Sequence, residues 1–227
     1  MTDNTILRYL TELNDNNDRQ WYHSHKEEFQ KAKTEFEGLI QELIYRIGKT
    51  DSSILHQNPR DLTFKLVRDT RFSHDKSPYN PAFRAHISSK GKLPIPVGYY
   101  IMIKPGGQSF LGGGLFTDMF KDATAMIRDH ILTHPGQWEQ VIQSPDFKET
   151  YTVRGMALKN VPRGYDREHP MAEYLKFKSW YLEYPVSDSI VGDTEQFLQL
   201  AVDIFLKMKP FNDYLNQALA GFKMPER

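Results

Sequence analysis

VGYYIMIKPGGQSFL, residues 97–111, decides the fold. Val97 to Lys104 reads as a strand, Pro105-Gly106-Gly107 supplies a tight turn, and QSFL pairs back as a hairpin. A hairpin makes neighbouring strands antiparallel. Upstream, LTFKLV places Leu62, Phe64 and Leu66 on one side, and FRAHI places Phe83, Ala85 and Ile87 on one side; both read as strands of period two. Downstream, Trp180 to Tyr184 alternates in the same way and is expected to end at Pro185.

Helical spacing occupies both ends of the chain. Ile6, Leu7, Leu10 and Leu13 predict a short helix that stops at Asn14-Asp15-Asn16-Asn17. Asp18 can cap a second helix carrying the stripe His25, Phe29, Ala32, Phe36, Leu39, Leu43 and Ile47. That stripe puts His25 on the buried face, as a core histidine with a hydrogen-bond partner. Thr117 or Asp118 can cap a helix through Met119, Phe120, Ala123, Ile127 and Ile131, and another short helix follows His134-Pro135. Met171 to Lys176 looks helical, Phe197 to Met208 forms one apolar face, and Pro210 is expected to start a last helix. Helices first, strands in the middle and helices last indicate an α+β fold. The expectation is a central, mostly antiparallel sheet of about five strands flanked by N-terminal and C-terminal helices.

A chain of 227 residues, 39% hydrophobic and 26% charged, is expected to fold as a single domain spanning 1–227. No apolar run approaches the roughly 20 residues that cross a bilayer, and MTDNTILRYL lacks a charged-then-apolar signal, so the expected compartment is the cytoplasm. The absence of cysteine excludes a disulfide framework, a thiolate zinc site and a cysteine nucleophile. Net charge is zero, which argues against nucleic acid and anionic membrane as partners. Locally the balance differs. Residues 60–92 carry eight Lys or Arg against three Asp, whereas 183–206 carry five acidic residues and no Lys or Arg.

Chemistry concentrates in RDTRFSHDKSPY, residues 68–79. Strand alternation puts Arg68 on the apolar face of LTFKLVRD, where its charge needs Asp69, Asp75, a distant carboxylate or a bound anion as partner. Arginine suits that place because its planar fork holds a carboxylate or phosphate through two hydrogen bonds. Arg71 and Lys76 follow in a loop, and Arg84 and His86 lie on one face of the next strand. Gly112-Gly113-Gly114 ahead of a helix could offer bare amides to the same anion. The candidate ligand residues are therefore Arg68, Arg71, Lys76, Arg84, Gly112, Gly113 and Gly114. The acid–base candidates are Asp75, His86 and Asp69. A second reading makes the motif a structural clasp of a protein-interaction or accessory domain, with Ser77-Pro78 turning the chain and Tyr79 packing down. No Walker ending, G-x-S-x-G elbow or H-E-x-x-H spacing is present, so neither a nucleotide, a serine nucleophile nor a metal is inferred, and the cofactor is left unknown.

NNDRQWYHSHKEEF, RDTRFSHDKSPYN, YYIMIKPGGQSFLGGGLF, IRDHI and LKNVPRGYDREHPMAEYLKFKS, in that order, resemble the signatures of the bacterial family catalogued as domain of unknown function 2461. The resemblance covers most of residues 14–180. It implies no activity, ligand or catalytic residue. His74 and Thr117 stand where the resemblance leads one to expect Lys and Pro.

Overall fold

The computed structural model describes residues 4–116 and 120–225. In chain order the elements are α1 (Thr5–Asp15), α2 (Arg19–Ser24), α3 (Lys26–Gly48), a 3₁₀ turn at Ser52–Ile54, α4 (Pro59–Leu62), β1 (Phe83–Ile87), β2 (Tyr99–Ile103), β3 (Ser109–Leu115), α5 (Lys121–Thr133), α6 (Pro135–Ile142), α7 (Pro145–Thr150), α8 (Ala172–Leu175), β4 (Trp180–Val186), α9 (Asp188–Gly192) and α10 (Thr194–Ala218). The four strands form one antiparallel sheet in the order β1-β2-β3-β4. The α+β class is as the element order predicts. No helix among the described residues is long and apolar enough to cross a membrane.

The chain groups into two compact units. One takes residues up to 92, 100–111 and 185–204; the other takes 93–99, 112–184 and 205 onward. In the first unit, the Asn4 carboxamide accepts the Leu7 amide at 3.0 Å and starts α1. Leu7, Leu10 and Leu13 are buried on the face that packs against α3. Ala32, Phe36, Leu39, Leu43 and Ile47 are buried along α3, matching their spacing, and α3 lies against β1. In the second unit, Trp138 is fully buried and packs on Tyr174, Phe211 and Tyr214 at centroid distances of 5.2, 5.7 and 5.1 Å.

Several expectations are corrected. The helix expected from Asp18 to Ile47 is broken at His25, whose backbone (φ −111°, ψ 35°) leaves helical geometry. His25 is half-buried rather than a core residue. Its ring lies on Trp21 at 4.0 Å, and Nδ1 is 2.8 Å from the Trp21 carbonyl oxygen, so local contacts outweigh helical periodicity there. LTFKLV forms no regular strand, which reduces the sheet to four. Its pairing is limited to isolated bridges from Thr63 to Ala85 and from Val67 to Tyr79, because α4 occupies Leu62 and Val67 is left 61% exposed. β4 continues through Pro185 to Val186; at the sheet edge a proline without an N–H is tolerated. Pro210 lies inside α10 rather than starting a helix. The expected caps Thr117 and Asp118, and Met119, lie outside the described residues.

Candidate functional site

The RDTRFSHDKSPY loop is built by its own short polar side chains. The Asp69 carboxylate accepts the Arg71 amide at 3.2 Å, and the Asp75 carboxylate accepts the Ser77 amide at 2.9 Å, two turns of the kind Asp favours. The base closes where the Arg68 amide donates to the Pro78 carbonyl at 2.9 Å. Asn17 then grips Tyr79 twice, accepting its amide at 3.1 Å and donating to its carbonyl at 3.0 Å. The loop is thereby tied to the turn between α1 and α2.

Its charges are mostly paired within the loop. Arg68 bonds the Asp75 carboxylate, and also reaches the Ser77 carbonyl and the Ser73 hydroxyl, both at 3.3 Å. Arg71 grips Asp69 through Nε at 3.0 Å and Nη2 at 2.6 Å, out in solvent. Hydrogen bonds from Ser77, and then Arg68, hold the Asp75 carboxyl well below the usual carboxylate range. Arg71 likewise lowers Asp69. Both candidates are ionised at neutral pH and too weakly basic to be good proton acceptors. Lys76 has no carboxylate partner among the described residues; its ammonium donates to the Thr70 carbonyl at 3.0 Å.

Two concavities flank Val67. A pocket of about 260 Å³ is lined by Asp18, Arg19, Arg68, Thr70, Lys76 and Tyr79, among others. Asp18 is already used, accepting the Trp21 amide at 2.9 Å as the cap of α2. On the other side, a cleft of about 320 Å³ has Phe36, Phe64 and Phe83 in its wall and Lys33, Arg60, Lys65 and Lys92 among its lining residues. Tyr22 lines the cleft, Tyr79 lines the pocket, and the two rings stack at 4.1 Å.

The remaining candidates are elsewhere. Arg71 lines neither concavity. Arg84 lies over Phe64 at 5.6 Å, donates to the Lys65 carbonyl at 3.1 Å, and opposes the rise that burial imposes on the Tyr100 phenol. His86 is buried within β1. Gly112, Gly113 and Gly114 are the clearest correction, because they are not a loop before a helix but buried positions of β3. A Cβ on Gly113 would meet Asn212 Oδ1 at 3.0 Å, and one on Gly114 would meet the Trp180 carbonyl oxygen at 2.4 Å. These glycines allow close packing and present no open anion cradle. The glycine amides that do hold a carboxylate are those of Gly106 and Gly107, which donate to Asp188 at 2.8 and 3.0 Å. Arg19 and Asn17 escaped the sequence reading because only the fold brings the α1–α2 turn to the loop. Among the described residues, no three His, Cys, Asp or Glu side chains gather as a metal-ligand set.

The model of the family described as conserved hypothetical protein (DUF2461) matches residues 5–214. The chain belongs to this family. No curated protein and no solved structure matches it significantly. In this DUF2461 member, the matched region includes both concavities and the whole RDTRFSHDKSPY loop.

Proposed function

We propose that the protein binds a small phosphate- or carboxylate-bearing ligand in the pocket beside Val67. One observation carries this reading: Arg19, Arg68 and Lys76 face the same pocket, whose acidic lining residue, Asp18, is committed to capping α2. Arg19 and Lys76 have no ion-pair partner among the described residues, so an entering anion would meet unneutralised positive charge. Arg68 adds a guanidinium already oriented by Asp75. The ligand set therefore narrows to Arg19, Arg68 and Lys76. The compartment that goes with this reading is the cytoplasm, where charged metabolites are retained.

Thermal melting against phosphate, sulfate and citrate tests it. A ligand at about 100 times its Kd adds about 2.7 kcal/mol, which at roughly 2–4 °C per kcal/mol raises the melting point of a chain this size by about 5–10 °C. Lys76→Ala and Arg19→Ala should each diminish that rise. An unchanged melting point with every anion, or an equal rise in the variants, rejects the pocket. The clasp reading is favoured by the pairing of Arg68 and Arg71 with carboxylates of their own loop. It expects Arg68→Ala to unfold the loop base while no anion stabilises the wild type. Phe72, 95% exposed at the loop tip, would then be the natural point of contact with a protein partner.

A further inference from the structure

We infer that the aromatic cleft is the second half of the same ligand site and takes a flat aromatic ring attached to the anion, which makes the ligand class an aromatic phosphate such as a mononucleotide. The inference rests on the anion pocket proposed above. Three observations support it.

Val67 lines both concavities, and the stacked Tyr22–Tyr79 pair has one ring in each wall, so the two spaces adjoin. A ligand with its anion beside Arg19 and Lys76 has the cleft as the neighbouring volume for its body. At about 320 Å³ the cleft lies at the small end of ligand pockets, suited to one ring system rather than an extended chain.

The wall is made of flat rings. Phe36 and Phe83 stack at 5.3 Å with 17° between planes, and Phe29 continues the stack onto Phe83 at 6.3 Å and 22°. Phe64 is only half-buried, leaving ring surface towards the cleft. Phe36 and Phe83 are buried and back the wall, so the ring surface open to a ligand is that of the half-buried Phe29 and Phe64, which can hold a planar π-system by stacking without requiring a particular hydrogen-bond pattern.

The rim carries excess positive charge. Lys33 and Arg60 share the single carboxylate of Glu37, at 3.3 and 3.6 Å. Lys65 has no carboxylate partner among the described residues, and Lys92 donates only to the Thr63 carbonyl at 3.3 Å. Ammonium groups here can donate to ring nitrogens and exocyclic oxygens, or lie over the ring face. A neutral aliphatic body would use neither the rings nor the charges.

Calorimetric titration of the full chain with adenosine monophosphate, ribose 5-phosphate and adenosine tests the assignment. The wild type should bind the monophosphate at least tenfold more tightly than ribose 5-phosphate. Phe64→Leu, which keeps apolar volume but removes the flat face, should erase that preference and leave ribose 5-phosphate binding unchanged. Lys65→Ala, at an exposed rim position, should reduce it in the same selective way. Lys76→Ala should weaken both phosphates by the same factor. If the monophosphate binds no better than ribose 5-phosphate, and both depend on Lys76, the cleft assignment falls while the anion pocket stands. Adenosine binding that requires Phe64, with no binding of ribose 5-phosphate, would keep the cleft and discard the pocket. Loss of all three ligands from the wild type overturns both.

Discussion

Replacing Gly114 by alanine separates a packing glycine from a ligand-binding one. Gly114 has φ +91°, a region costing a residue with a Cβ about 1–3 kcal/mol. Its new Cβ would stand 2.4 Å from the Trp180 carbonyl oxygen, 2.8 Å from Phe211 Cε1 and 2.9 Å from Tyr181 Cα. Two of those atoms are backbone, so no rotamer change relieves the overlap, and overpacking adds about 1–3 kcal/mol. The total of about 2–6 kcal/mol is a large part of a typical folding free energy. At roughly 2–4 °C per kcal/mol the melting point should fall by about 4–24 °C. Thermal melting and urea denaturation, each with and without phosphate, measure the effect. A variant that melts within about 2 °C of wild type but no longer responds to phosphate would refute the reasoning and return Gly112, Gly113 and Gly114 to an anion-binding role.

Gly38→Ala on α3 should act oppositely: its Cβ meets nothing within 4 Å, so removing a helix-interior glycine should stabilise by about 0.5–1 kcal/mol in urea denaturation. Asn216→Ala should destabilise by about 2–4 kcal/mol, because its carboxamide both accepts from the buried Val97 amide at 2.9 Å and donates to the Val97 carbonyl at 3.0 Å, and its loss leaves both groups unsatisfied. Arg71→Ala should leave the melting point and any response to phosphate nearly unchanged, since its pair with Asp69 is exposed and lines neither concavity. Asp75 titrates below its unfolded value near 3.9, so its stabilisation is fully present above that pH and is lost as pH falls through the lower native value. The melting-point difference between wild type and Asp75→Asn should therefore be constant from about pH 5 to 8 and shrink below about pH 3.

The local chemistry of the chain determined its elements. β1 occupies the residues that FRAHI predicts, and Pro105-Gly106-Gly107 turns β2 into β3, because alternation and turn preference act between near neighbours. The α3 stripe is buried where its spacing places it. Periodicity failed where a nearby contact competed, as at His25 with Trp21, or where a neighbouring turn displaced the pairing, as in LTFKLV after α4. The carboxylates available to Arg68 and Arg71 were also legible, since their partners lie two to seven residues away. What only the tertiary structure decided was convergence. Arg19 and Lys76 meet across one pocket although 57 residues separate 19 from 76, and Arg84, eight residues beyond Lys76, lies over Phe64 instead. The glycine trio could not be assigned from its spacing, because its reason is the backbone at Trp180 and Tyr181 and the Phe211 side chain. Such placements depend on which surfaces the core brings together, a long-range packing choice that no single stretch of sequence contains.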